Sequence, residues 1–432
     1  MNAPHRKREG EVKGELKAGV AEVEITPNVG IDLTGYILRE GPSTGIHDPL
    51  FAKALVLDDG MTQAAIVCCD ILGLDSRSVA TIRAAVNAAT GIPGRNVMLL
   101  CTHTHAGPAS MFLRHCGEVD LSWLDRLGEY IVQVVQCAIE RCRPARIGAG
   151  QTHVVDGIHN RRRPGDPVDP ALGILRVEEM DGTLHSILLN YACHPTCLDH
   201  TNRLISADYI GYATSIVAGE TGATTLFATG AIGDVGPRGS GYRAAAALGH
   251  ALADGALQAL NSIQTQLPQP LYVASTELAL PLLPPPSPAE LKEMVIEFTK
   301  LSAAQPADRV ASAMLAWAQE TLAASEARQI ASSVPAEIQV LRIGDMALVG
   351  VPGELFVELG LAIKRGSDLR DCFVCGFANG NIGYIPTRYA YPRGRYEVTS
   401  AYRYYGYPAA LAPEAGEAIV QTAIRLIQGY KG

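Results

Sequence analysis

Asn96-Val-Met-Leu-Leu-Cys-Thr-His-Thr-His-Ala-Gly-Pro108 is an apolar run that ends abruptly at Gly107-Pro108, with His103 and His105 placed just before the break. Five consecutive apolar residues bounded by Gly-Pro read as a buried strand. On a strand, residues i and i+2 face the same side, so both imidazoles are expected to project from its end into one cavity. Neutral imidazoles converging at a sheet edge suit a borderline-soft divalent metal, zinc first. An isolated His-Thr-His is equally a pair of hydrogen-bonded loop histidines, so the remaining ligands must come from elsewhere in the chain.

The same pattern recurs twice. The apolar run Ser186 to Ala192 leads into Cys193-His194-Pro195-Thr196, and Met346 to Val351 leads into Pro352-Gly353-Glu354. Three separated strands therefore exit into candidate ligands: His103 with His105, His194, and Glu354. Glu354 also reads as a carboxylate in the first turn of a helix. Strand ends on one edge of a sheet are where α/β proteins place their sites. Two imidazoles and one carboxylate form an open catalytic zinc set.

Strand and helix signals alternate along the chain. Lys17 to Pro27, Ala52 to Leu57 and Gln63 to Asp70 read as strands, the last two joined across Asp58-Asp-Gly60. Helices are expected from Asp75 or Ser76 to Ala89, Leu121 to Cys142, Ser206 to Glu220, Arg243 to Leu260 and Glu414 to Gln428. Between them lie strands near 146–154, 173–178 and 224–229, and later 337–343, 346–351 and 372–377. This order predicts an α/β fold with a mixed β-sheet core, helices on its faces and a single catalytic domain over residues 16–432. Residues 1–15 read as a disordered charged tail. After Leu282-Leu-Pro-Pro-Pro-Ser-Pro288, residues 282–330 read as a helical insertion of two helices, either a lid or a structural appendage.

The formal net charge of −8 argues against nucleic acid as a partner. No apolar run reaches the length of a membrane span, so no stable membrane insertion is expected. The polar N-terminus lacks a secretory pattern, and ten cysteines are too sparse for a disulfide framework, which together suggest a cytoplasmic setting. Cys372-Phe-Val-Cys375, Cys193 and Cys197 read as core-filling residues.

The succession GIH, HTHAGP, NRR, CHP, GDVGP, VPGE and GYIPT…YE over about residues 16–407 resembles the N-terminal catalytic domain of the neutral/alkaline non-lysosomal ceramidases, zinc-dependent amidases. The resemblance implies Zn2+ held by His103, His194, Glu354 and Tyr384, which leaves His105 as the acid–base imidazole. It implies an active-site arginine at Arg161, with the register inside Arg161-Arg-Arg163 open by one residue. It also implies an oxyanion-stabilising tyrosine at Tyr396 and a further site tyrosine at Tyr405. Asp234 is expected either to orient a histidine or to hold the Gly-rich loop. The loops around Tyr36 and His47 are expected to shape the substrate pocket.

Where the family continues its Gly-Asp-Val loop with a serine, this chain has Gly236, and ceramide becomes doubtful as the substrate. The family's C-terminal domain and secretion signal are also not found. The expected activity is hydrolysis of a small-molecule linear amide, an N-acyl amide other than ceramide, by metal-activated water. An esterase or lactonase on the same site and a non-catalytic metal- or ligand-binding relative remain alternatives. Homo-oligomerisation is left open.

Overall fold

The computed structural model describes residues 16–266 and 270–429. The tail expected at residues 1–15 lies outside them. The architecture is mixed α/β, as the alternation of signals predicts. Its larger sheet has eight strands in the order Thr224–Thr229, Leu184–Tyr191, Ala171–Glu179, Arg143–His153, Lys17–Glu24, Phe51–Asp58, Gln63–Cys69 and Val97–Cys101. The pairs at its two ends are parallel. The five pairs between them are antiparallel.

A second, four-stranded sheet runs Leu271–Pro281, Ser333–Ile343, Met346–Gly350 and Asp371–Cys375. Its apolar face packs on the larger sheet: Leu341, Leu348 and Phe373 share a buried cluster with Leu55, Leu100 and Leu188. Helices cover the outer faces. Trp123, Leu127 and Ile131 of Leu121–Glu140 are buried over one part of the large sheet. Leu248, Leu252 and Ala256 of Gly241–Leu260 are buried over another. Ile419, Ala423 and Ile427 of Ala415–Gln428 cover the smaller sheet. These i, i+4 sets are the apolar stripes visible in the sequence.

Curling of the large sheet assembles the site. The strands that precede His103 and His194 lie near opposite ends of the strand order, yet the two end strands meet. Thr229 Oγ1 donates to Thr102 O, next to the end of Val97–Cys101, at 2.8 Å, and Lys53 Nζ, from the interior strand Phe51–Asp58, also reaches across to Thr225 O at 2.9 Å. The ligands therefore converge because two edges are rolled together, rather than along one open edge.

The strand Leu271–Pro281 is not among those expected from the sequence; Ser275, Glu277, Ala279 and Pro281 are its exposed positions. It pairs along its whole length with Ser333–Ile343. The helices Pro288–Ala304 and Arg309–Glu326 form an excursion between these two strands. Ser287 opens the first helix with a capping box to Glu290, and Pro288 occupies its first turn.

Candidate active site

His103 does not reach the site by strand alternation. The strand Val97–Cys101 ends two residues earlier, and His103 adopts φ 66°. This left-handed backbone is uncommon for a residue with a Cβ. It turns the ring back over Phe377, with centroids 3.9 Å apart and planes 13° from parallel. His103 Nδ1–H donates to Leu72 O at 2.7 Å, which fixes the tautomer and leaves Nε2 as a lone pair. His194 Nδ1–H likewise donates to Ile232 O at 2.8 Å.

Glu354 sits on a two-residue strand paired in parallel with Tyr384–Ile385, so Glu354 lies directly beside Tyr384. The helix expected to begin at Glu354 instead starts at Val357. Gly353, at φ 156°, separates this bridge from the preceding strand. A Cβ at Gly353 would lie 2.6 Å from Gly383 O, so only glycine permits the close pairing.

These groups form an electrostatically incomplete set. His194 Nε2, a lone pair, lies 3.0 Å from Glu354 Oε2, and His103 Nε2 lies 3.9 Å from the same oxygen. His105 Nε2 approaches His103 Nε2 to 3.2 Å. Burial pushes His103 down to about 3 and His194 well below the ordinary imidazole value. Neither ring then carries a proton to share with the carboxylate. Acceptors facing one another in a buried site call for a cation between them. The imidazole nitrogens of His103, His105 and His194 lie within 4.8 Å of one another. Two imidazoles and a carboxylate fit a divalent metal of zinc type.

His105 differs from its partners. Its Nδ1 is buried without a hydrogen-bond partner, its ring lies against Tyr36 at 4.8 Å, and it faces the cavity. Burial, followed by the charges of neighbouring imidazoles and of Arg39 and Arg161, holds it well below the usual imidazole value. A Cβ at Gly35 (φ 92°) would come within 2.3 Å of Nδ1, so glycine is required for the loop to pass beneath the ring.

Arg161 Nη2 donates to Gly233 O at 2.8 Å and to Tyr384 OH at 2.7 Å. Its Nε makes no hydrogen bond but lies 3.7 Å from Glu397 Oε1, and the residue lines the cavity. Of the three arginines in the run, Arg161 is the one that lines the cavity. Arg162 is instead paired with buried Glu397 at 2.5 Å, and Arg163 is exposed. Tyr405 OH donates to Glu354 Oε1. Tyr396 lines the cavity with its ring 5.8 Å from that of Tyr384. Burial raises the Tyr384 hydroxyl well above its usual value, Arg161 opposes this, and Glu354 adds to it.

The cavity has a volume of about 440 Å³. Its lining includes apolar Ile37, Leu38, Leu72, Leu113 and Cys116 and, besides the groups above, polar Thr196 and His200.

Three residues named from the sequence stand back from this cavity. Asp234 accepts from Asn160 Nδ2 at 2.9 Å and Val357 N at 2.8 Å. It therefore ties the Gly-rich loop to a helix start and touches no histidine; burial raises its carboxyl to about 6. His47 stacks on Tyr242 at 4.1 Å and bonds Asp48 at 2.6 Å. It is drawn aside because Gly45–Ile46 pairs with Leu204–Ile205. Gly236 pairs with His159, and a Cβ there would meet only Arg161 Cδ, at 3.9 Å. It lies beside the cavity, against the stem of Arg161, rather than in its lining.

Sequence reasoning passed over Arg39, which is buried and donates to Thr34 O and His105 O, each at 2.7 Å. It also passed over Phe377 beneath His103, and over Glu397 as an arginine partner. Only Glu397 carried a signal, as the second member of the Tyr-Glu pair.

Comparison with known proteins bears on the family and the fold. The family model for the N-terminal region of neutral/alkaline non-lysosomal ceramidases matches residues 16–246, more than half of the chain. The neutral ceramidase of Pseudomonas aeruginosa is 24% identical over 88% of this chain and 68% of its own length. That of Drosophila melanogaster is 26% identical over 53% of this chain and only 37% of its own length. The crystal structure of the Pseudomonas aeruginosa enzyme superposes with a TM-score of 0.76 at 21% identity, covering 97% of this chain and 75% of that one. Among the described residues no helix is long and apolar enough to cross a membrane. The chain belongs to the neutral/alkaline non-lysosomal ceramidase family.

Proposed function

We propose that this protein is a zinc-dependent hydrolase that cleaves the amide bond of an N-acyl amide other than ceramide. The observation that carries the reading is the set of mutually facing acceptors, His103 Nε2, His194 Nε2 and Glu354 Oε2, beside a cavity-facing imidazole that hydrogen-bonds no carbonyl through its ring. His103, His194 and Glu354 would hold the metal, with Tyr384 as a further oxygen ligand. Zinc there supplies Lewis acidity, bringing the pKa of a water toward neutrality and polarising an acyl carbonyl.

The chain's own groups do the rest. His105, neutral and facing the cavity, accepts the proton of the attacking water and passes it to the leaving nitrogen. Arg161 and Tyr396 donate to the acyl oxygen as negative charge develops. Tyr405 holds Glu354, and Tyr384 holds Arg161. The acyl chain lies along Ile37, Leu72 and Leu113, and the leaving amine faces Thr196 and His200.

Two observations support a substrate other than ceramide. Gly236 leaves a space without a hydroxyl beside Arg161, and a cavity of about 440 Å³ suits a compact ligand. The test is a panel of N-acyl amides of graded chain length, matched esters and ceramide, each with and without a zinc chelator. The expected result is amide turnover that chelation abolishes, with a shorter amide preferred to ceramide. Turnover unaffected by chelation would overturn the metal mechanism, and a preference for ceramide would overturn the substrate assignment.

A further inference from the structure

Among the described residues the helical excursion contributes nothing to the cavity lining, yet it is bonded to two loops that do. Arg309, the first residue of its second helix, donates from Nη1 to Arg39 O and from Nη2 to His115 O at 2.9 Å. One guanidinium thus ties the loop around Tyr36–Glu40 to the loop around Met111–Cys116. Arg39 in turn donates through Nη2 to His105 O. A continuous chain of hydrogen bonds therefore runs from the helix to the backbone of the acid–base imidazole.

The same helix grips the tyrosine segment. Trp317 Nε1 donates to Tyr407 O at 2.8 Å, and the Arg403 guanidinium lies 4.3 Å over the Trp317 ring. Met314 and Ala313 are buried in one cluster with Leu72, Leu113, Cys116 and Tyr404. Arg114, buried behind this wall, donates to Arg403 O at 3.2 Å and to Glu320 through both Nη atoms at 2.7 Å. The next residue after Tyr404 is Tyr405, which holds Glu354.

We propose that the helical pair is a clamp that fixes the two cavity walls relative to each other, and that Arg309 is a positioning residue for His105, acting through Arg39. The role in turnover rests on the hydrolase reading above; the clamp itself is a statement about structure. A lid would contribute side chains to the mouth and open with substrate. This element is attached from behind by a buried tryptophan and by a guanidinium that bridges two carbonyls. Such charge-assisted contacts are short and directional, and they restrict the loops that carry them.

The test compares Arg309→Ala, Arg309→Lys and the control Lys292→Ala, whose ion pair with Glu326 is solvent-exposed. The readouts are zinc content, amide hydrolysis and backbone hydrogen exchange of the holoprotein. For Arg309→Ala, kcat is expected to fall roughly tenfold with little change in KM, because small misplacements of a catalytic group are costly. Zinc content stays at the wild-type level, and exchange accelerates in segments 36–40 and 111–116. Arg309→Lys is intermediate, and Lys292→Ala matches wild type.

Unchanged kcat and unchanged exchange in Arg309→Ala would overturn the proposal. So would unchanged exchange with improved kcat/KM for larger substrates, the behaviour of a lid. If Arg309→Ala does not fold, the exchange of Arg309→Lys decides. If the wild type cleaves no amide in the panel, the hydrolase reading fails, while the exchange data still judge the clamp.

Discussion

Replacing Tyr405 by Phe removes one oxygen and tests whether Glu354 is held ready for a metal. The Tyr405 hydroxyl donates to Glu354 Oε1, and Glu354 is only 2% exposed, so bulk water does not readily replace the lost donor. A hydrogen bond to a charged group contributes about 1.5–3 kcal/mol, and its loss here leaves a buried carboxylate oxygen unsatisfied. At about 1.4 kcal/mol per tenfold, this corresponds to a weakening of roughly 10- to 150-fold. Outer groups that orient metal ligands typically contribute about 10–100-fold in metal affinity. The ring itself stays in place, because Gly383 packs against its edge, where a Cβ would lie 2.9 Å from Cδ2. Zinc affinity of Tyr405→Phe, measured by competition with a chromophoric chelator, should therefore fall about 10–100-fold, and the apoprotein should unfold at a lower temperature because Glu354 has lost its donor. An affinity within threefold of wild type would refute the reasoning that Tyr405 orients Glu354.

His105→Gln should retain zinc while amide turnover drops by about 10²–10⁴, the usual contribution of a general acid–base group; loss of zinc would instead make His105 a ligand. Arg162→Met leaves Glu397 buried with its other cation, Arg161, at 3.7 Å, and should destabilise the fold by about 3–5 kcal/mol in urea titration. A cost below about 1 kcal/mol would show that the pair is effectively solvated. Burial raises the Asp208 carboxyl from 3.8 to about 6. Its folded pKa exceeds its unfolded one, so its contribution is fully present below about pH 4 and is lost as pH rises through about 6. Asp208→Asn lacks this titration, and the stability gap between the two proteins should move in the variant's favour by about 3 kcal/mol from about pH 4 to pH 7. A gap independent of pH would contradict the burial argument.

What could be read from the chain was local. The His103-Thr-His105 stretch, the strand before His194 and the apolar stripes of the long helices are short-range patterns, and they led to the fold class and to most of the groups that converge. The mode of convergence was not legible. His103 reaches the site through a left-handed backbone supported by Phe377, which is distant in sequence, and not through a pleat. Glu354 reads as the start of a helix because a carboxylate before an apolar stripe looks like one; its pairing with Tyr384 depends on Gly353 and on a strand partner thirty residues away. Arg39 had no signal, since nothing local distinguishes an arginine whose partners are carbonyls at 34, 105 and 202. His47 was drawn toward the pocket by its motif, but a two-residue strand pairing takes it elsewhere. The rolling of the large sheet is a long-range property of eight strands together.

The central claim is that His103, His194 and Glu354 surround a catalytic metal. Its most direct test is metal analysis of the purified protein and of His103→Ala, with amide hydrolysis measured on the same samples. The account predicts zinc bound in a one-to-one ratio in the wild type, and zinc and activity lost together in the variant. A His103→Ala protein that keeps both its zinc and its turnover would contradict it.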